Sequence, residues 1–477
     1  MAAIKTKSAI CQQATDTSTR LDGIKICYIG GGSVAWAHKL MGDLALCQTI
    51  NGEVRLYDVV PERARLNEKY GQKVFQLPQV KSKWRWRAVT RLSDALKGAD
   101  FVFLSITPGQ LETMAREIEI CERYGLWHPV GDTIGPAGLM RCLRTARLYA
   151  GFARAVMAHA PKAWVINYTN PMTVCTRAVY AVEPQIKAFG CCHEVFGTQE
   201  LLAKIVEKYL HVPPPSRREI KCNVTGINHF TWLTKTTWKG MDLKPLWQRF
   251  FREEASVQPR YTWDQIKEHG VCHSFYCIAA ALSLRHDALA AAGDRHLAEF
   301  APGFLISKDD LHRWGICLTP VREYRITNFN NRVNSIRQVI AGKETLNIKQ
   351  SDEEAIPQLL AILGVADLKT NVNLPNVGQI PDLPRGAIVE TNAYFSRDSV
   401  IPLTAGETPR TLLPLLATHV ANQEQIVQAA LTKDSDLALA VITNDPLNRL
   451  PFDKTAEMFR ELMAATKPWS FSTDAPR

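Results

Sequence analysis

The sequence predicts an α/β protein: a doubly wound parallel sheet over residues 23–195, then a mixed α+β lobe over 196–477. Three observations predict it. The β-rich run 24–29 stops at Gly30-Gly31-Gly32-Ser33 and gives way to helix-like sequence over 34–46. A second run, 53–57, ends in an acid, Asp58, 28 residues after Gly30. Short apolar runs then alternate with helical stretches as far as Cys191, as parallel strands joined by crossover helices require.

Strand, glycine turn, helix, strand and acid, in that order, open a Rossmann-type dinucleotide-binding unit. Gly30 permits the tight turn, Gly32 lets the backbone approach a pyrophosphate, and Ala35 keeps the helix close to the strand. The helix start then offers free N–H groups to phosphate. An acid in the position of Asp58 hydrogen-bonds the adenosine ribose and favours NAD over NADP. Gly30, Gly31, Gly32, Ser33 and Asp58 are therefore the expected cofactor residues.

The remaining elements follow in order. Gly98-Ala99-Asp100 leads into the strand 101–106, and a helix over 111–124 carries Arg116. A glycine-rich loop, 130–138, precedes the helix 139–158. The strand 163–166 has Asn167-Tyr168-Thr169-Asn170-Pro171 at its carboxyl end, and the strand 186–191 brings Cys192-His193 to the same rim. Open α/β sheets bind their ligands along that rim. Asparagine amides there suit sugar hydroxyls or a nicotinamide carboxamide, the role expected of Asn167. Past Val195 the pattern changes. A helix over 197–210 is followed by strands 220–224 and 230–234 flanking Gly226-Ile227-Asn228-His229. The apolar stretch 269–289 reads as helical, 386–389 as a short β region, and 415–431 and 434–442 as the closing helices.

Composition excludes several classes. Hydrophobic residues at 46% and charged ones at 22% are ordinary for a soluble globular chain. No apolar run reaches the ~18 residues of a membrane span. Residues 1–22 are polar, lack the apolar core of a secretory signal and read as a disordered extension, which leaves a cytoplasmic protein. The 12 scattered cysteines then read as reduced and buried, with one doing chemistry. A net charge of +10 invites a nucleic-acid partner, but the basic residues are dispersed. The one basic knot, 81–87, reads as a solvated surface segment.

Thiolate and imidazole are ligands for a divalent transition metal, and Cys192 and His229 each sit in a loop after a strand. The alternative for Cys192 is core packing. His193 is either a general acid or a surface histidine. His269, Cys272 and His273 imitate a zinc site but lack a second ligand pair, so they read as packed residues of an apolar helix.

Four of these segments, Tyr28 to Ser33, Asn167 to Pro171, Cys192-His193-Glu194-Val195 and Gly226 to His229, together resemble glycoside hydrolase family 4. The likeness runs from about residue 24 to about 450 and takes in Gly293-Asp294-Arg295-His296 and Asn373-Leu374-Pro375-Asn376-Val377-Gly378. It implies NAD- and metal-dependent glycosidase activity. The implied fold is a Rossmann domain plus a lobe like the C-terminal half of lactate and malate dehydrogenases. It makes Cys192 and His229 ligands of a divalent metal, usually manganese. Asn170 and Arg116 become substrate-binding positions, and His193 the acid. For the base it points to Asp294, then His296, with Tyr276 third; the alternative for Asp294 is a helix cap. The implied chemistry is oxidation at C3 of the sugar, elimination across C1 and C2, addition of water and return of the hydride.

Cys-His-Glu-Val resembles the α-galacturonidase branch, whereas phosphosugar members usually carry Cys-Asp. The expected substrate is a short oligogalacturonide, and a uronate carboxylate calls for an arginine, with Arg116, Arg144 and Arg295 as candidates. An α-galactosidase or α-glucosidase is the alternative within the family. An NAD-linked hydroxy-acid or sugar dehydrogenase, or a non-catalytic NAD and sugar sensor, is the alternative outside it. The resemblance favours a homodimer or homotetramer.

Overall fold

The structure is a computed structural model and describes residues 20–254, 264 and 276–467. The extension up to residue 19 and the trio His269, Cys272 and His273 lie outside the described residues. A nine-stranded sheet runs through the molecule. Six parallel strands come first: β1 (Leu21–Ile29), β2 (Ile50–Tyr57), β3 (Trp84–Val89), β4 (Phe101–Leu104), β5 (Trp164–Asn167) and β6 (Lys187–Gly190). Their spatial order is 3-2-1-4-5-6, the Rossmann order, so the expected α/β class stands.

Both faces of these strands are buried, which is why they read as unbroken apolar runs. In β1, Ile26 and Tyr28 enter one core cluster, and Cys27 and Ile29 enter the cluster on the opposite face. Phe101 and Phe103 of β4 join the first of these, Val102 and Leu104 the second.

The basic knot is solvated on one side only: Lys81, Lys83 and Arg85 are exposed, as expected, but the segment is part of the sheet. Trp84 and Trp86 are buried beneath the sheet while Arg85 between them is exposed, so residues 84–89 form the edge strand β3. Alternation of tryptophan and arginine is the period-2 signal of a half-buried strand, and the charges outside protect that edge.

The opposite edge is completed by distant chain. After β6 come β11 (Leu368–Pro375), β12 (Ile388–Ser396) and β13 (Ser399–Pro402), all antiparallel, joined where Asn373 meets Gly190. Only the start of β12 reads as β structure in the sequence. A smaller sheet holds β7 (Lys221–Ile227), β8 (Phe230–Trp238) and β10 (Leu289–Ala290), with β9 (Met241–Asp242) on β8.

The helix Leu413–Thr432 lays Ile426, Val427, Ala429 and Ala430 into the same cluster as the long helix Gly135–His159. A last helix, Phe452–Ala465, adds Met458, Phe459 and Leu462 to it; the sequence reading had stopped short of it. Among the described residues nine cysteines are thiols, as expected, and Cys317 is the exception, being disulfide-bonded. Among the described residues no helix is long and apolar enough to cross a membrane.

Candidate active site

The glycine turn after β1 is set by close approach. Gly30 has φ +93°, and a Cβ there would lie 2.0 Å from the Ser105 carbonyl oxygen. A Cβ on Gly31 would meet Leu56 at 2.8 Å. Both amides donate to the Tyr57 carbonyl, at 2.9 and 2.8 Å. Asp58 accepts from the Gly32 N–H at 2.8 Å and from Val60 at 2.9 Å, so the acid at the end of β2 reaches the turn after β1. Asn67, buried beneath, donates to the Gly31 and Ser33 carbonyls at 2.8 and 2.9 Å. Ala35 gives the helix Trp36–Leu46 no capping side chain, and Ser33 Oγ accepts from the Trp36 N–H at 3.2 Å.

At the carboxyl ends of β5 and β6 the rim turns polar. Asn167 is buried and engaged on both sides: its Oδ1 accepts from Tyr149 Oη at 2.7 Å and the Thr169 N–H at 2.9 Å, and its Nδ2 donates to the Thr169 carbonyl at 3.1 Å. It holds the loop that carries Asn170. The Asn170 Nδ2 lies 3.5 Å from both Asp132 Oδ2 and His229 Nε2.

His229 occupies the turn between β7 and β8 with φ +63°. It is the hinge of two overlapping donor groups. Cys192, Glu194 and His229 bring one thiol, one carboxylate and one imidazole within 4.8 Å of one another, and Asp132, His229 and His296 do the same. The His229 and His296 rings stand 3.7 Å apart, and His296 Nε2 is 3.5 Å from a Glu194 oxygen. Behind this centre Glu390 of β12, fully buried, accepts from Thr231 Oγ1 at 2.8 Å, Asn371 Nδ2 at 2.7 Å and Asn228 Nδ2 at 3.4 Å. The strands added to the sheet edge thus brace the turn that carries His229.

Electrostatics mark the centre as unusual. Burial, reinforced by the Glu194 and Glu390 charges, pushes the Cys192 thiol well up. Burial and the Glu390 carboxylate push Glu194 up likewise, and one of its oxygens is buried without a partner. Burial lowers His229 to about 4, and burial with the neighbouring His229 ring lowers His296 well below its ordinary value, so both imidazoles are neutral. Burial opposes the Asp132 carboxylate, but His296, His229, Arg141 and Arg325 together outweigh it and hold the carboxyl below its usual range. A cluster of neutral imidazoles and crowded acids is the chemistry of a cation site.

Other expected residues sit elsewhere. His193 is at the start of the helix Glu194–Leu210 with its side chain 55% exposed, 4.0 Å from Glu353 and beside the Trp36 ring. It faces the glycine-turn helix and belongs to neither donor group. Asp294 is buried with Oδ2 accepting from the Ile278 N–H at 3.1 Å and Oδ1 from Ala279 at 2.9 Å; it caps the helix Cys277–His286. Tyr276 immediately precedes that helix and packs against two apolar clusters.

Arg116 lies on the exposed face of the helix Leu111–Arg123, whose inner face is Met114, Ala115, Glu117 and Ile118. Arg144 is 1% exposed and bound to Glu117, with Nη2 to Oε2 at 2.9 Å. Asp132 and Glu194 were not singled out in the sequence. Asp132 lay in the glycine-rich loop, and Glu194 inside the Cys-His-Glu-Val segment itself.

Two models of one family match the chain: Family 4 glycosyl hydrolase over residues 25–208, and Family 4 glycosyl hydrolase C-terminal domain over 224–448. An alpha-galacturonidase of Thermoanaerobacter italicus is 43% identical over 448 residues, covering 93% of this chain and 96% of the relative. An alpha-galactosidase of Bacillus subtilis is 27% identical over 455 residues, covering 93% and 98%. Among solved structures, the Bacillus subtilis protein lplD superposes with a TM-score of 0.87 at 42% identity, covering 93% of this chain and 100% of that one. A 6-phospho-alpha-glucosidase from gut microorganisms, solved with NAD and Mn2+, shares the fold with a TM-score of 0.77 at 19% identity, covering 93% and 98%. Matched by both family models along most of its length, the chain belongs to family 4 of the glycosyl hydrolases.

Proposed function

We propose that this glycosidase hydrolyses α-galacturonides, short oligogalacturonides above all, with NAD and a divalent metal such as manganese. One observation carries the substrate: the chain is 43% identical to an alpha-galacturonidase but 27% identical to an alpha-galactosidase, each over 93% of its length. The glycine cradle at Gly30, Gly31 and Gly32, too close to Ser105, Leu56 and Arg63 respectively for side chains, fits a pyrophosphate, with Ser33 and Asp58 at its margin. The thiol, carboxylate and imidazole donors of Cys192, Glu194 and His229, with a Glu194 oxygen lacking any partner, fit a divalent cation. Bound there, NAD would accept and return the C3 hydride, and the metal would polarise the resulting ketone.

The chain's own residues do the rest. Asn170, within 3.5 Å of Asp132 and His229, orients the sugar hydroxyls beside the donor groups. His296, neutral and beside His229, takes the C2 proton; Asp294, bound to two amides of another helix, supports that helix. His193, on the open rim, gives a proton to the leaving group.

The test is hydrolysis of digalacturonic acid against a neutral α-galactoside, with NAD+, Mn2+ and a thiol reductant, while NADH absorbance is followed. Galacturonic acid release without NADH accumulation is the expected result. Cleavage of the neutral sugar alone overturns the substrate, and steady NADH without cleavage means a dehydrogenase.

A further inference from the structure

Resting on that reading, we propose that Arg325, with Arg141 beside it, binds the C6 carboxylate of the galacturonosyl unit and sets the preference for a uronate over a neutral sugar. Sequence alone points to Arg116, Arg144 and Arg295, and each is otherwise placed. Arg116 faces out, Arg144 grips Glu117, and Arg295 donates to the carbonyls of Pro129 and Cys317 and to Thr319 Oγ1.

Arg141 and Arg325 converge instead on one sulfur. Arg141 Nη1 is 4.0 Å and Arg325 Nη1 3.7 Å from Met114 Sδ. A thioether is a weak, uncharged acceptor, and the Asp132 carboxylate, on which both guanidiniums act, offsets at most one of the two permanent charges. Neither forms an ion pair with a carboxylate among the described residues. Two guanidiniums drawn together in a poorly solvated place repel each other, and a bound anion offsets that repulsion. A carboxylate is the anion whose two oxygens fit a guanidinium fork.

The pair also lies at the reacting end of the site. Arg141 Nε donates to the Asn170 carbonyl at 3.1 Å, and the Asn170 amide is the group 3.5 Å from Asp132 and His229. The charges of Arg141 and Arg325 act on Asp132, and that of Arg325 on His296 as well. An anion-binding position one residue from the centre that handles C3 is where C6 of the same ring would reach. Arg325 stands in the π-helical turn Val321–Ile326, just before the helix Thr327–Ile340, and is half-buried, so it is open to a ligand on one side. Single π turns inside longer helices recur at functional sites.

The test uses the full-length enzyme and its Arg325→Gln and Arg325→Lys variants, with binding of galacturonate and of galactose read by calorimetry beside digalacturonate kinetics. Arg325→Gln is expected to weaken galacturonate binding and raise KM for digalacturonate by roughly 10- to 100-fold. Galactose and NAD binding should not change, and Arg325→Lys should retain part of the affinity. Galacturonate binding unchanged in a folded Arg325→Gln protein overturns the inference while leaving the proposed activity in place. A wild-type enzyme that neither binds galacturonate nor cleaves digalacturonate overturns the proposed function, and this inference with it.

Discussion

Cys192 and Glu194 flank an exposed histidine, yet both direct their side chains to the same His229 from a different sheet. The chemistry of the pair depends on what they meet. In the protein alone, burial and the Glu390 charge disfavour the thiolate, and a bound divalent cation reverses that balance. Cys192→Ser should therefore lose retained metal and at least a hundredfold in turnover, a larger loss than removing a supporting partner of a ligand costs. Its NAD affinity should stay within a few-fold, because the glycine turn is untouched. Metal content after desalting, paired with NAD titration, checks this; full metal content in the variant contradicts the assignment.

Residue type marks Cys192 and His229 as candidate ligands in the sequence, because thiol and imidazole chemistry is local. Asp132 and Glu194 carry no such mark, since a loop, a helix start and a turn bring them to His229 across two sheets. Asp294 is the converse case. A carboxylate at a helix start reads in sequence either as the base or as a helix cap, and here its partners are amides of another helix.

Elements were legible where their determinants are local. The turn after β1 needs glycine at Gly30 because of the Ser105 carbonyl, and strands buried on both faces had to be apolar throughout. The edge strand β3 was missed because its charges hide a tryptophan alternation. Arg116 lies on the exposed face of its helix, a placement that its phase on the helix decides and its residue type does not.

One helix has a titration consequence. His419 of Leu413–Thr432 is buried against Phe230 and Phe300, its Nε2 donating to the Phe300 carbonyl at 2.7 Å, and burial lowers it from 6.5 to about 4. Between those values the unfolded chain binds a proton that the folded chain does not, so stability falls as pH drops through this window. His419→Gln keeps a donor for Phe300 without titrating. From pH 7 to pH 5 the wild type should lose about 2 kcal/mol more than this variant, read from urea midpoints. Parallel losses contradict the buried, neutral histidine.

At the scale of the whole molecule, the chain returns to its first half to finish it. Strands β11 to β13 close the sheet edge at β6, and the helix Leu413–Thr432 covers Gly135–His159. Neither return is legible locally, because antiparallel addition of a distant segment leaves no mark on β6 itself. A fragment ending near residue 215, between the two family matches, should therefore expose an open sheet edge and an apolar helix face. It is expected to aggregate or to melt without cooperativity; a soluble, cooperatively melting fragment that binds NAD contradicts this.

The proposed cleavage passes through oxidation at C3, which makes the C2 hydrogen acidic, followed by elimination rather than direct displacement at C1. Hydrolysis of digalacturonic acid in D2O with NAD+ and Mn2+ tests this route. Deuterium is expected at C2 of the galacturonic acid released from the non-reducing end, with no net NADH. Complete hydrolysis with protium retained at C2 would contradict it.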